Sequence, residues 1–352
     1  MGFGIKTKLL KFINIEIISR FGPQMIRISP VGYACTNACP MCWRIMKKIT
    51  DKSKLRSSEL KYQKYKEILT TLPFTVSKVE MVGGGEPLLF PKVSNLFYEI
   101  KRKNLFGLLI TNGVLLNKKI SNLLVEVGWN TVRVSINAGS KRVYAIVNGA
   151  NYFDQVVANV RYLAQNRNNK KPKIGLHFVL QKTNYLDINN FLKLAQDLEV
   201  DFVSFDTLIH NSKKSLLLSD KETAEVIHNL KIRQHDFLLS NNIKELLFKL
   251  KINSSKKSKA YFANRYCQVV QDSIDIDSEG NVVPCCMAYG ESISKNLSGS
   301  SLSKIWKKNY SFRRQLKKGQ FADFCYEKCN YSLNRRIAKS SSKSGNKISL
   351  VC

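Results

Sequence analysis

Three cysteines stand within eight residues, in Cys35-Thr-Asn-Ala-Cys39-Pro-Met-Cys42, and six more are confined to the last quarter of the chain. None falls between Cys42 and Cys267. Nine cysteines in 352 residues are too sparse for a disulfide scaffold and suit metal ligation or catalysis. Three thiols on one loop are one short of the four that close a structural zinc or four-iron site. On spacing alone two readings stay open. A fourth ligand from elsewhere would complete a zinc site; a four-iron cluster would keep one iron open for a substrate or cosubstrate.

The elements that must position these thiols alternate. A strand over 25–29 leads into the first cysteine group. Helical spacing is read over 59–72, 93–103, 117–127, 153–165 and 188–198, and extended segments over 78–82, 107–110, 131–136, 174–180 and 202–205. Six β/α units in succession predict a parallel sheet with right-handed crossovers. Its carboxyl edge, where the first cysteines fall, is the edge on which such folds place their sites.

The CxxxCxφC spacing, with Met41 at φ, resembles that of the radical S-adenosylmethionine (SAM) enzymes, and further pieces follow in order. Gly83-Gly84-Gly85-Glu86-Pro87 after the second strand is similar to the family's GGEP element. The resemblance places Gly84, Gly85, Glu86 and Pro87 beside the SAM amino group, with Glu86 as its anionic partner. Thr111-Asn112-Gly113 closes the third strand as in the family. Ser135 and Asn137 fall where the ribose and carboxylate of SAM are met, although Asp is more usual than Asn137 there; Val179 falls where adenine packs. Singly, each piece reads as a tight turn or a core hydroxyl; their order carries the argument. The likeness covers about 25–210. It implies a partial (β/α)6 TIM-like barrel, a [4Fe-4S] cluster on Cys35, Cys39 and Cys42, and SAM cleaved reductively to a 5′-deoxyadenosyl radical that takes hydrogen from an organic substrate.

The C-terminal quarter resembles the SPASM/twitch extension of that family. A hairpin flanks Ser278-Glu279-Gly280-Asn281 and leads to Pro284-Cys285; Lys295-Asn296-Leu297, Ile305-Trp306 and a Cys325/Cys329 pair follow. The resemblance implies one auxiliary [4Fe-4S] cluster on Cys267, Cys285, Cys325 and Cys329, with Cys286 a substitute for Cys285 and Cys352 a bystander. Zinc on the same four thiols is the alternative. The expected organisation is an N-terminal segment 1–24, a radical SAM core 25–210, a mostly helical linker 211–262, an auxiliary-cluster domain 263–335 and a mobile basic tail 336–352.

Fifty-seven Lys and Arg against twenty-six Asp and Glu give a formal charge of +31, and residues 1–56 alone carry eleven basic residues against Glu16 and Asp51. Such a field favours anionic partners, and lysine-rich solvated faces are the plainer reading. The expected substrate is an anionic small molecule or peptide, and the expected reductant a flavodoxin or ferredoxin. Ile5, Leu9, Leu10, Phe12, Ile13, Ile15, Ile17 and Ile18 among lysines form an amphipathic segment suited to an anionic lipid surface or to packing on the barrel. No stretch has a signal peptide or span pattern, so a cytoplasmic, optionally membrane-associated protein is expected. The first expectation for activity is oxidation of a sugar, cyclitol or related metabolite. The alternative is radical modification of a peptide or protein side chain. From another class, a non-catalytic metal-binding protein on nucleic acid is the weaker reading. Arg133, His177, Asp206 and His210 could face a substrate, or serve structure.

Overall fold

The computed structural model describes residues 21–46, 61–208, 214–233, 239–254, 262, 265–285, 301–329 and 334–335. The amphipathic segment, the basic tail, His210, Cys286, Cys352 and Lys295-Asn296-Leu297 lie outside the described residues.

Six parallel strands follow in order: β1 (Met25–Ile28), β2 (Lys78–Met81), β3 (Phe106–Thr111), β4 (Thr131–Ser135), β5 (Lys173–Leu180) and β6 (Phe202–Thr207). Each is paired with its sequence neighbour. The helices Tyr62–Thr70, Val93–Arg102, Lys118–Glu126, Phe153–Asn166 and Ile188–Asp197 return the chain between them. A short strand β7 (Arg265–Tyr266) precedes the hairpin of β8 (Ser273–Ile276) and β9 (Val282–Val283); β10 (Asn334–Arg335) pairs with β7. The main sheet runs β6-β5-β4-β3-β2-β1-β8-β9, and its two outer strands do not meet. It is an open, mostly parallel barrel, as expected for the fold class.

Alternation along the strands sorts the two faces. One face is apolar and packs under the helices. Phe178 and Phe205 lie 4.9 and 5.5 Å from Phe191 of the helix Ile188–Asp197, and Phe97 lies 4.8 Å from Trp129. The other face carries Arg27, Glu80, Arg133, Ser135, His177, Ser204, Asp206 and Asp275, brought side by side by the register.

Three features depart from the alternation read in the sequence. The helix Lys141–Asn148 intervenes after β4, before the expected helix. The hairpin of the C-terminal cysteine region joins the main sheet, with β8 parallel to β1 over four residue pairs. The segment expected only to link the two cysteine regions covers the free edge of β6. Ser240 accepts from the Val203 N–H at 2.9 Å, and the Asn242 side chain exchanges two bonds with the Phe205 backbone at 2.7 and 2.9 Å. An amide side chain here replaces a missing strand, which satisfies an otherwise open edge. Among the described residues no helix is long and apolar enough to cross a membrane.

The hairpin is held by charge as well as by backbone. Arg27 Nε reaches Glu80 at 2.7 Å and its Nη1 reaches Asp275 at 2.9 Å, all three nearly or wholly buried. Burial would push the Glu80 carboxyl up, but Arg27 and Lys78 outweigh it and hold Glu80 below its ordinary value. For Asp275 burial wins over Arg27, and its carboxyl is raised.

Candidate functional site

The carboxyl edge of β1 to β5 converges on the first cysteine loop. After β1 the chain runs beside the loop that follows β2. The Gly85 N–H donates to Val31 O at 3.0 Å and the Glu86 N–H to Ala34 O at 2.8 Å. The glycines are required by this approach, since a Cβ on Gly84 would lie 2.2 Å from Gly32 O and one on Gly85 2.1 Å from Ala34 O. The GGGEP loop and the cysteine loop are thereby one packed unit.

Glu86 is buried and turned into this unit. Its carboxylate accepts from the Thr111 hydroxyl at 2.6 Å, the Asn112 N–H at 2.8 Å and the Leu88 N–H at 3.2 Å. The last bond caps the short 3-10 helix Pro87–Leu89, with Pro87 at its first position. Burial raises the Glu86 carboxyl although all three donors pull it down. The geometry gives Glu86 the task of tying β2 to β3, with both oxygens engaged by the protein. Asn112, held through its own N–H by Glu86, extends its amide to Thr36 Oγ1 at 2.8 Å and to Cys35 Sγ at 3.5 Å. The Asn37 N–H reaches the same sulfur at 3.4 Å.

The three thiols share one environment. Burial raises Cys35, and burial with the neighbouring Cys42 and Cys35 sulfurs pushes Cys39 up to about 12. Both shifts favour the neutral thiol until something positive displaces the proton. Among the described residues no three Cys, His, Asp or Glu converge on a single metal-ion position. A four-iron cluster accommodates that spacing, because each cysteine ligates its own iron.

The remaining expected SAM contacts occupy the ends of β4 and β5. Ser135 lies opposite His177 on the inner face, and Val179 stands two residues further along β5. Asn137 is buried at φ +57°, a left-handed conformation that Asn tolerates. Its Oδ1 accepts from the Val179 N–H at 2.9 Å and its Nδ2 donates to Asn148 Oδ1 at 3.1 Å. The side chain must accept on one side and donate on the other, which an amide does and a carboxylate does not. Like Glu86, it serves the scaffold.

Sequence reasoning missed the helix Lys141–Asn148 and, with it, a wall of the site. Asn148 O accepts from the Ala38 N–H at 3.1 Å, Asn148 Oδ1 lies 3.7 Å from Cys39 Sγ, and the Asn37 amide reaches the Tyr144 hydroxyl at 3.4 Å. Burial pushes the Tyr144 hydroxyl up to about 12. Gly149 closes the helix at φ +58°, with Ala38 O in the space its Cβ would take. The signals were available: Val143, Tyr144 and Val147 at helical spacing before a terminating glycine.

Deeper on the inner face, Arg133, His177, Ser204, Asp206 and Lys249 gather. His177 Nδ1 lies 2.8 Å from Ser204 Oγ, His177 Nε2 lies 3.8 Å from Asp206, and Lys249 Nζ pairs with Asp206 at 2.7 Å and Glu245 at 3.4 Å. Burial, reinforced by Arg133, brings His177 down to about 3 and so keeps it neutral. Burial alone would lower Lys249; Asp206 and Glu245 outweigh it and hold Lys249 above its ordinary value. Lys249 comes from the segment after β6, which no local pattern connected with the barrel.

The second cysteine group also converges. Cys267 and Cys285 are buried in one cluster with Phe262, Val269, Val270 and Leu316, and Cys325 and Cys329 pack against it. Burial, then Cys329 and Cys267, pushes Cys325 up to about 12. The wall is aromatic, with Phe262 lying 4.9 Å from Phe321 and 4.6 Å from Tyr326.

Comparison with known proteins matches two stretches of the chain. Residues 29–195 match the radical SAM superfamily, and residues 267–330 match the SPASM iron–sulfur cluster-binding domain. A curated relative is the Fe-coproporphyrin III synthase of Methanosarcina barkeri, 24% identical over 54% of this chain and 46% of its own length. Another is the tungsten-containing aldehyde ferredoxin oxidoreductase cofactor-modifying protein of Pyrococcus furiosus, 22% identical over 78% of this chain and 71% of its own. The chain spans about half the length of the first curated relatives it matches. Among solved structures, Streptococcus suis SuiB bound to its precursor peptide SuiA superposes with a TM-score of 0.64 at 16% identity, covering 83% of this chain and 67% of SuiB. That likeness is one of fold. The iron–sulfur match decides between the two metal readings left open at the second cysteine group. With the two cysteine groups, the glycine loop and the open barrel in their places, the chain carries a radical SAM domain over residues 29–195 and a SPASM-type iron–sulfur domain over residues 267–330.

Proposed function

We propose that this chain is a SAM-dependent radical enzyme in which Cys35, Cys39 and Cys42 hold the SAM-binding [4Fe-4S] cluster. The observation that carries the reading is the packing of that loop against Gly84 and Gly85 at the carboxyl edge of the barrel. The residues fit the group. Three thiols lie together, two N–H donors face Cys35 Sγ, and backbone without side chains lines the approach from β2. When bound, a reduced cluster with SAM supplies the 5′-deoxyadenosyl radical that takes a hydrogen atom from substrate.

The chain's own residues do the rest. Gly84 and Gly85 leave the backbone open to the SAM amino group, Pro87 and Glu86 fix that loop, and Thr111 and Asn112 brace it from β3. Ser135 and Val179 present a hydroxyl and an apolar surface to the ribose and adenine, while Asn137 fixes the β4 and β5 ends they stand on. Cys267, Cys285, Cys325 and Cys329 close an auxiliary [4Fe-4S] cluster suited to electron transfer. An external one-electron reductant of the flavodoxin or ferredoxin kind completes the system.

For substrate we favour a peptide or protein side chain. SuiB, whose fold this chain shares over most of its length, is described with a precursor peptide, and the basic chain suits an acidic peptide. The names of two curated relatives speak of a porphyrin synthase and a cofactor-modifying protein, not of the sugar or cyclitol first expected. The compact polar group of His177, Ser204, Asp206 and Lys249 is the feature that favours a small hydroxylated metabolite as the second reading.

The test is anaerobic reconstitution, iron and sulfide counts, and 5′-deoxyadenosine formation from SAM with dithionite. The parent should bind about eight irons, and the Cys35/Cys39/Cys42→Ala variant about four. Deoxyadenosine should come only from the parent. Equal iron in both proteins would overturn the ligand assignment.

A further inference from the structure

Arg44 lies two residues beyond Cys42, in the short helix Trp43–Met46. It turns back into the cysteine loop. Its Nη2 donates to Asn37 O at 2.6 Å, and Asn37 is midway between Cys35 and Cys39. The side chain therefore spans the loop it follows. It is 8% exposed. Among the described residues no carboxylate pairs with it, and its Nε–H, buried, has no hydrogen-bond partner.

A buried guanidinium without an anion is costly, and so is a buried donor without an acceptor. Buried polar atoms left over in this way ask for an explanation, and a ligand is one of the few available. The loop has a second such atom, Asn37 Oδ1; exchanging the oxygen and nitrogen of that amide lets the oxygen accept from the Tyr144 hydroxyl and leaves the unpartnered place to an uncharged amide nitrogen. No such exchange exists for Arg44, because a guanidinium is a cation with donors only.

The group that meets both needs is an anion within the loop. Three thiolates around a four-iron core of charge 2+ leave a net negative charge, and reduction by one electron adds another. We propose that Arg44 is the positioning residue that supplies the countercharge to the cluster held by Cys35, Cys39 and Cys42. Its Nε–H is left unused by the protein, and its Nη2 anchors it to Asn37 O. The inference rests on the reading of those cysteines as cluster ligands. Its effect follows from Coulomb's law at low dielectric: a fixed positive charge stabilises the more negative state, so it raises the reduction potential of the cluster. It acts together with the N–H donors of Asn37 and Asn112 on Cys35 Sγ, which favour charge on sulfur in the same sense.

The experiment compares the parent with Arg44→Gln and Arg44→Lys, full-length and anaerobically reconstituted. Three quantities are read. They are iron content, the midpoint potential of the EPR signal that SAM perturbs, and deoxyadenosine formation with dithionite or with the stronger reductant titanium(III) citrate. In Arg44→Gln the midpoint should move to more negative values. Deoxyadenosine formation with dithionite should fall by about tenfold or more, as the loss of one charge interaction in a buried site entails. The stronger reductant should restore most of it. Arg44→Lys should keep a midpoint near that of the parent. Should Arg44→Gln instead lose the N-terminal iron, retention by Arg44→Lys would support the countercharge equally.

An unchanged midpoint in Arg44→Gln would overturn the proposal, as would equal loss of iron in both variants, which would make Arg44 a brace for loop geometry. A parent without a SAM-perturbed signal would instead overturn the cluster assignment itself, so the two failures are distinguishable.

Discussion

Replacing Asn137 by the acid that the family resemblance leads one to expect should destabilise this protein, with a penalty that depends on pH. In the structure Asn137 accepts from the Val179 N–H and donates to Asn148 Oδ1 at 3.1 Å. An ionised Asp would keep the first bond and turn the second into a contact between two acceptors. Asn148 cannot relieve it by exchanging its amide ends. Its Nδ2 already donates to Ile136 O at 2.7 Å, so the exchange would only move the clash to that carbonyl. The least costly escape for the carboxyl is to take up a proton and donate it to Asn148 Oδ1. The folded pKa then lies above the unfolded value of about 3.9, and at pH 7 holding the proton costs about 4 kcal/mol. A group whose folded pKa is raised is stabilised as pH falls. The penalty of Asn137→Asp relative to the parent should therefore shrink by about 1.4 kcal/mol for each unit from pH 8 to pH 6. Asn137→Ala, by contrast, loses both bonds and keeps a Cβ at positive φ, but it brings no titrating group, so its penalty should not vary with pH. Anaerobic pulse proteolysis in urea at several pH values reads both. An Asp variant as stable as the parent, or one whose penalty does not change with pH, would refute the assignment of the amide as a necessary donor.

Three other outcomes are expected. Gly85→Ala, whose Cβ would meet Ala34 O at 2.1 Å, should displace the cysteine loop and lower reconstituted iron by about four; full iron loading would show that the two loops need not touch. His177 is neutral in the fold with a pKa brought down to about 3, so the unfolded chain takes up the proton first as pH falls. The parent should lose about 1.4 kcal/mol of stability on this account between pH 7.5 and 5.5, and His177→Gln should lose that dependence, as read by urea unfolding at the two pH values. Arg27→Met leaves Glu80 and Asp275 buried beside an apolar chain and should cost about 3–5 kcal/mol, whereas the triple change Arg27→Met/Glu80→Leu/Asp275→Leu should recover most of it. A triple variant no more stable than the single one in urea would locate the cost in packing.

The barrel was legible because its signals are local. Strands such as Ile174 to Leu180 announce themselves by apolar and β-branched runs, and the intervening helices by their apolar stripes. Both cysteine groups were legible from spacing. What escaped depends on contacts between residues far apart in the chain. Nothing around Ser273 to Ile276 says that this strand pairs with β1, which precedes it by 248 residues at Arg27 and Asp275. Lys249 reads as one more lysine on a helix until Asp206 is found 2.7 Å away. Glu86 and Asn137 were singled out by motif as contacts of SAM, yet a motif names the residue and not the direction in which its side chain turns. Both turn inward, because the loops at the carboxyl edge have backbone N–H groups to satisfy before they can present anything to a ligand. The helix Lys141–Asn148 is of another kind. Its apolar spacing was visible but short, and an eight-residue helix between two glycines is easily read as loop.

The placement of β8 bears on how the two cysteine groups work together. A domain joined through a flexible linker would leave the separation of its cluster from the first one variable. Here the strand that ends 7 residues before Cys35 is paired over its whole length with the strand that ends 9 residues before Cys285. The Arg27 guanidinium pins the two with a buried ion pair. Slippage by one residue would carry Asp275 to the apolar face and leave Arg27 with one partner fewer, so the register is strongly specified. The β1–β8 pairing thus sets the geometry between the two sites, and the long segment between β6 and β7 is free to do something else. It closes the β6 edge and supplies Lys249 to the inner face. On the proposed role of the second cysteine group in electron transfer, the shared sheet would be the element of this fold that holds the separation of the two groups constant.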